Sequence, residues 1–200
     1  MSVASSTRQT IEHIERLRSV LKGVEPAPRE ALANKSNAAA VLVPLFKRRG
    51  DLHVVYIRRS DHVESHRGQV AFPGGRVDAG DATLLDAALR EAREEVGIVP
   101  ATVDVLGAFP TTTTTTTGIV VAPFVGVIPA ETALVKQASE VAEIFDVPLA
   151  ALRDPAYRGI YEWRRDGRES AKFPAILYGG QTIWGLTLRI TLEMLGILDA

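Results

Sequence analysis

The chain has 200 residues, 24% of them charged and 46% hydrophobic, a length and balance that suit one globular domain with a substantial core. Its formal net charge is −1, with no long basic run, which argues against a nucleic-acid partner held by a broad positive field. Cysteine is absent, so disulfides, thiolate metal sites and cysteine nucleophiles are excluded.

The opening MSVASSTRQTIEHIERL lacks the uninterrupted apolar core of a secretory signal, and no apolar stretch has the length needed to span a bilayer. The expectation is a soluble, cytoplasmic protein with no membrane partner. Ile11, Ile14, Leu17 and Leu21 recur at helical spacing amid Glu12, Glu15, Arg16 and Arg18, which predicts an amphipathic helix. Pro26 and Pro28 end it, and the segment to about Asn37 reads as a connector. Residues 1–36 are thereby set apart from a main domain over 37–200. Packing on that domain is the expected role of the helix. An oligomer contact, a homodimer included, or a lid is the alternative.

AAAVLVPLF (38–46) has the composition of a buried strand, Arg49-Gly50-Asp51 offers a turn, and LHVVYIRR (52–59) supplies a second strand. QVAFPGG (69–75) reads as a strand entering a sharp turn. Downstream, strands are predicted at 103–109 and 118–128. The threonine run 111–117 reads as a loop or strand end, because it has β propensity but no pattern that selects a ligand. Residues 139–152 read as a loop entering a short strand with a turn at Pro148, residues 176–185 as a strand and turn, and Leu186–Leu195 as a closing helix. Interleaved helices and strands with an early strand pair predict an α/β fold in which helices cover a mixed sheet.

The most informative stretch is GGRVDAGDATLLDAALREAREEVGI, residues 74–98. A helix is predicted from near Asp81, taken as its N-cap, to Gly97 as its C-terminal stop. Leu85, Leu89, Ala92 and Val96, with Ala88 beside them, form the expected apolar stripe. Glu91, Glu94 and Glu95 fall on neighbouring turns, and residues three and four apart share a helix face. Carboxylates so close repel unless a cation lies between them. A hard divalent ion fits, since it prefers oxygen ligands and bridges to substrate phosphates. Taken alone, Arg90/Glu94 and Asp86/Arg90 are also ordinary i,i+4 pairs worth only about 0.2–0.5 kcal/mol each. The Gly-Gly turn at a fixed distance upstream favours the metal reading. His13, His53, His62 and His66 show no metal-ligand spacing, and His53 reads as a strand surface residue.

Gly75 followed by REAREEVGI (90–98) resembles the Nudix box, G-x5-E-x7-R-E-U-x-E-E-x-G-U with U aliphatic. The second half matches, with Ala92 as the small apolar U. In the first half, one extra residue separates Gly75 from Arg90. Asp81 takes the first glutamate's place by counting forward, and Ala82 takes it by counting back. Upstream, Arg58-Arg59-Ser60, His66-Arg67-Gly68-Gln69 and Phe72-Pro73-Gly74-Gly75 look like the signature of the coenzyme A pyrophosphatase subgroup, which shares that extension. The usual signature arginine four residues after the serine is here Glu64.

The resemblance covers roughly residues 37–195 and implies a Nudix α/β/α sandwich with a central mixed sheet. It also implies that Glu91, Glu94 and Glu95 ligate Mg²⁺ or Mn²⁺, with Glu140 and the Gly74 carbonyl as further ligands. Arg90 would orient the cluster, and Glu140 or a box glutamate would serve as general base. Arg58, Arg59, His66, Arg67, Gly68 and Gln69 would face a small-molecule nucleotide substrate, the arginines because guanidinium forks suit phosphate. For any one of these arginines, a surface or structural role is as ready an explanation. Trp163 and Trp184 read first as packing residues, with base stacking as the alternative.

The implied reaction is hydrolysis of coenzyme A or its derivatives to 3′,5′-ADP and 4′-phosphopantetheine. One rival is a Nudix hydrolase of another nucleoside diphosphate derivative, such as ADP-ribose, a dinucleotide or a (d)NTP, and Glu64 keeps it open. A second is a non-catalytic nucleotide sensor, disfavoured because all three box glutamates are present.

Overall fold

The computed structural model describes residues 3–24, 38–63, 66–114, 118–163 and 171–200, with side chains from residue 6 onward. Eleven strands and four α-helices are formed by these residues. Strands β1 (Ala38–Arg48) and β2 (Asp51–Arg59) make the expected antiparallel hairpin, with Arg48 opposite Asp51. They sit in an eight-stranded sheet with β3 (Val70–Ala71), β4 (Gly74–Arg76), β5 (Asp104–Ala108), β6 (Thr112–Thr113), β7 (Val120–Val127) and β8 (Val141–Pro148). The backbone order is β3-β2-β1-β7-β5, and β4, β6 and β8 add to β1, β7 and β2 respectively. Only the β1–β7 pairing is parallel, so the sheet is mixed, as predicted.

Because side chains alternate across a strand, the central strands feed two cores. Val43, Leu45, Val54 and Tyr56 point to one side, where α1 (Val3–Leu21) brings Ile14, Leu17 and Leu21, and α4 (Gly185–Asp199) brings Leu188, Met194 and Leu195. Leu42, Val55 and Ile57 point to the other, where α2 (Leu84–Val96) brings Leu84, Ala87, Ala88, Ala92 and Val96. The result is the predicted α/β/α layering. Tyr56 is fully buried, and its hydroxyl is paired with Thr191 Oγ1 at 3.0 Å.

Helix α1 packs on the domain, with Leu17 and Leu21 almost wholly enclosed. Thr10 Oγ1 donates to the Gly50 carbonyl at 2.9 Å, and Arg18 reaches Asp104 at 2.6 Å. Pro26 and Pro28 lie outside the described residues. The helix already stops at Leu21, before Gly23.

Two elements differ from the expectation. Pro148 ends β8 and leads into a short helix, α3 (Leu149–Arg153). A second sheet, β11-β10-β9, is built from β9 (Arg158–Trp163), β10 (Ala171–Tyr178) and β11 (Gln181–Trp184). The expected strand and turn over 176–185 fall within its β10–β11 hairpin, and the rest of the sheet is new. Tyr161, Phe173 and Trp184 cluster there, with Trp184 centred 4.5 Å from Tyr161 and 5.4 Å from Phe173, so Trp184 packs against rings as expected.

Candidate active site

The site is built where α2 crosses the β1–β4 pair. The Phe-Pro-Gly-Gly turn lays Gly74 opposite Val41 and Gly75 opposite Ala40. Gly74 adopts φ 155°, and a Cβ there would meet the Ala40 carbonyl oxygen at 2.4 Å. At Gly75 a Cβ would meet the Glu91 carboxylate at 2.5 Å. The two glycines therefore let the turn press on β1 behind and on Glu91 in front, an approach that no side chain permits.

Helix α2 begins two residues later than predicted. Its N-cap is Thr83, whose hydroxyl accepts from Asp86 N–H at 3.1 Å while Asp86 accepts from Thr83 N–H at 2.9 Å, a capping box. Asp81 cannot cap because its carboxylate is taken. It lies buried, accepting from Arg90 Nε at 2.9 Å and Nη2 at 3.0 Å, and from Asp78 N–H at 2.8 Å. Gly97 closes the helix in the left-handed conformation, φ 74°, as expected.

The apolar stripe is rotated from the predicted one. Leu85 and Leu89 are only half-buried, whereas Leu84, Ala87, Ala88, Ala92 and Glu95 are enclosed. Small alanines bring the helix close to the sheet, and Glu95, 1% exposed, is carried into the interface. Glu95 thus occupies the packed side of α2, Glu91 is half-buried and Glu94 is exposed.

Arg90 is the hub of this surface. Besides its fork on Asp81, Nη1 donates to Glu91 Oε1 at 3.0 Å and to Glu94 Oε2 at 3.1 Å, and Nη2 donates to the Arg76 carbonyl at 3.0 Å. The hydrogen bond to Asp81 leads the interactions that hold the guanidinium protonated. Glu95 Oε2 accepts from Gly74 N–H at 2.9 Å, and Oε1 lies 3.6 Å from Arg59 Nη1. Burial pushes the Glu95 carboxyl up to about 7, against the pull of Gly74 N–H and Arg59, and Glu91 and Glu140 add to the rise. Burial also raises Glu91, opposed by Arg90 and reinforced by Glu94 and Glu140.

Glu140 is exposed on the loop before β8. Main-chain bonds place it: Val135 N–H donates to the Val96 carbonyl at 3.0 Å, Gln137 N–H to the Glu95 carbonyl at 2.9 Å, and Glu140 N–H to Gln137 at 3.0 Å. Its own carbonyl accepts from Ser60 N–H at 2.8 Å. The loop acid is thereby strapped to the end of the helix that carries the other three.

The upstream signature residues separate. Arg59 faces the glutamates, whereas Arg58, next along the strand, pairs with Glu143 at 3.5 Å, and Glu143 also accepts from Gln181 at 2.8 Å. His66 and Arg67 are exposed. His66 Nδ1 lies 3.0 Å from Gln69 Oε1, and Arg67 Nε donates to the Val63 carbonyl at 2.8 Å. Gly68 N–H returns to the Arg59 carbonyl at 3.2 Å, and Arg59 N–H to the Gln69 carbonyl at 3.0 Å. Glu64 and Thr115–Thr117 lie outside the described residues.

Two arrangements were missed in the sequence. The Asp81–Arg90 fork was hidden because aspartate two residues before a helix reads as a cap. His53 is not a free surface residue: its Nδ1 lies 2.7 Å from Asp146, which also holds Arg48 at 2.8 Å.

Among the described residues, no three carboxylate or imidazole side chains stand gathered as a ready-made ion cage. The glutamate oxygens are held by Arg90 and by Gly74 N–H instead. The donor set nonetheless suits a hard divalent cation. It is all oxygen and partly buried, and repulsion from neighbouring carboxylates adds to the rise that burial causes in Glu91 and Glu95.

A family model for the NUDIX domain matches residues 36–166. Uncharacterized Nudix hydrolase NudL of Escherichia coli (strain SMS-3-5 / SECEC) is 41% identical over 167 residues, covering 83% of this chain and 84% of the relative. Its namesake in Citrobacter koseri (strain ATCC BAA-895 / CDC 4225-83 / SGSC4696) is 41% identical over 157 residues, covering 78% of this chain and 80% of that one. The fold is shared with a MutT/nudix family protein from Enterococcus faecalis at TM-score 0.52 and 17% identity, over 82% of this chain and 62% of that one. The chain belongs to the Nudix family. Its class is that of a Nudix hydrolase. No helix among the described residues is long and apolar enough to cross a membrane.

Proposed function

We propose that this chain is a Mg²⁺- or Mn²⁺-dependent pyrophosphohydrolase that cleaves coenzyme A or its derivatives to 3′,5′-ADP and 4′-phosphopantetheine, acting in the cytoplasm. The observation that supports the chemistry is that one arginine, Arg90, holds Glu91 and Glu94 while Glu95, a turn along the same helix, accepts from Gly74 N–H. The coenzyme A specificity rests on the resemblance of the RRS, HRGQ and FPGG segments to that subgroup. In the proposed division, residues 37–200 form the hydrolase domain and residues 1–36 a helix and connector preceding it.

Glu91, Glu94 and Glu95 would hold the metal, joined by Glu140 and the Gly74 carbonyl. When bound, such an ion supplies charge neutralisation for the diphosphate and lowers the pKa of water. Arg90 keeps the glutamates in register through Asp81. Glu140, exposed yet strapped to the helix end, would accept a proton from water. His66 and Arg67, exposed on the turn after β2, are the side chains offered to the substrate's outer phosphate.

A second reading, hydrolysis of another nucleoside diphosphate derivative, is favoured by Glu64, which replaces the arginine usual in the subgroup. Product analysis with coenzyme A, ADP-ribose, a dinucleotide and a dNTP separates the two. Release of 4′-phosphopantetheine is the expected outcome. Cleavage of ADP-ribose without attack on coenzyme A would transfer the assignment to the second reading.

A further inference from the structure

We infer that Arg59 is a positioning residue for Glu95, and that the HRGQ turn exists to aim it there rather than to offer it to substrate phosphate. The proposal rests on the hydrolase reading above and deepens it.

Four observations converge. First, the pairing of β2 with β8 slips at this point, so that Arg58 faces Glu143 but Arg59 faces Val141. A register shift of this kind re-aims the side chain that follows it. Second, the HRGQ turn grips Arg59 by both main-chain groups, its N–H on the Gln69 carbonyl and its carbonyl on Gly68 N–H. Gly68, with φ 65°, makes the turn tight enough to do so. Third, Arg59 Nη1 stands 3.6 Å from Glu95 Oε1, while the other oxygen of that carboxylate is taken by Gly74 N–H. Each oxygen of Glu95 therefore has its own anchor, one from the sheet edge and one from the FPGG turn.

The fourth observation decides between gripping a phosphate and holding a carboxylate. Among the described residues, Arg59 Nε is buried with no hydrogen-bond partner. Of the two edges a guanidinium can offer a phosphate, the Nε edge is closed off from solvent, and on the other Nη1 is turned toward Glu95. Inserting a guanidinium this far without satisfying Nε is unfavourable, so the arrangement needs a return. The return is the attraction of a nearly enclosed carboxylate in a poorly screened setting, where such a pair specifies one geometry. Arg90 serves Glu91 and Glu94 in the same way, but does not reach Glu95. Arg59 completes the set from the opposite side.

The test uses the full-length protein and the variants Arg59→Met and Arg59→Lys, with coenzyme A and ADP-ribose as substrates. Arg59→Met should lower kcat by about 10²-fold, the scale of a displaced reacting group, with KM within about threefold of wild type, as for an interaction outside substrate binding. Arg59→Lys, which restores the charge but not the fork, should recover part of the lost kcat. Equilibrium binding of α,β-methylene-ADP, measured by calorimetry with Ca²⁺ present, should be the same for wild type and Arg59→Met.

A raised KM and a matching loss of analogue affinity, with kcat retained, would overturn the inference in favour of a substrate grip. So would an unchanged kcat in Arg59→Met. If Arg59→Met does not fold, Arg59→Lys decides alone, through whether kcat or KM moves. Failure of the wild-type protein to turn over either substrate falls on the hydrolase reading instead.

Discussion

Arg90 and Asp81 are joined by two parallel hydrogen bonds, Nε to Oδ1 at 2.9 Å and Nη2 to Oδ2 at 3.0 Å, with Asp81 buried. This fork is the base on which the glutamates stand, because the same guanidinium reaches Glu91 and Glu94. Asp81→Asn should destabilise the fold by about 2 kcal/mol, the scale for a lost charged hydrogen bond, because Glu91 and Glu94 still pair with Arg90. It should also lower kcat. Urea denaturation and steady-state kinetics check both, and a stable variant with full activity would show the fork to be dispensable.

The neighbouring glycines should respond differently to alanine. At Gly74 the added methyl meets backbone, and φ 155° is itself strained for an L residue, so Gly74→Ala should lose more than about 2 kcal/mol of stability. At Gly75 it meets the far end of the Glu91 side chain. Gly75→Ala should therefore fold, with Glu91 pushed aside and turnover reduced. Thermal melts paired with activity assays distinguish the two outcomes.

Glu95→Gln keeps the shape and the Gly74 contact while removing the charge. Turnover should fall by about 10²-fold or more, with circular dichroism unchanged and melting lowered, since Arg59 loses the charge that offsets its burial. Thr83→Ala, on the same helix but at its cap, should cost about 1 kcal/mol of stability and leave KM unaltered. Equal kinetic damage from both variants would mean that helix integrity, rather than the Glu95 carboxylate, limits activity.

The docking of α1 should weaken in acid. Burial, and then the Arg153 guanidinium 3.4 Å away, hold the His13 imidazole below its ordinary value of 6.5, against the milder upward pull of Asp51, Asp199 and Glu12. The folded state thus resists protonation that the unfolded chain accepts. The stabilisation is fully present above pH 6.5, declines as pH falls below it, and is gone once pH has passed beneath the lowered folded value. Melting temperature should drop between pH 7.5 and 5.5 by more in wild type than in His13→Gln. Parallel curves would remove His13 from the linkage.

The three-layer fold was legible in the sequence because it follows from local periodicity: strand composition at 38–59, helical spacing at 84–96, and the glycine stop at Gly97. What escaped depended on tertiary partners. The stripe on α2 was drawn through Leu85 and Leu89 because leucines outrank alanines in any apolar count. Close packing through Ala87, Ala88 and Ala92 instead rotated the helix and carried Glu95 inward. Arg58 and Arg59 were indistinguishable as neighbouring cations until strand alternation and the slip against β8 sent them to different faces. The strand β9 puts Tyr161 and Trp163 on one side, but Ile160 breaks the alternation on the other, between Arg158 and Glu162, and its sheet partners begin only at Ala171.

The strap from Val135 to Glu140 has an evolutionary corollary. Since the bonds that tie it to the end of α2 run through amide and carbonyl groups, while Val135 itself is 67% exposed, most of its side chains are free to drift, Lys136 excepted because it donates to the Ala142 carbonyl at 2.7 Å. Its residue count is not: one insertion or deletion between Val135 and β8 would shift the fourth acid away from the other three. Relatives should therefore vary in spelling across this loop far more than in length.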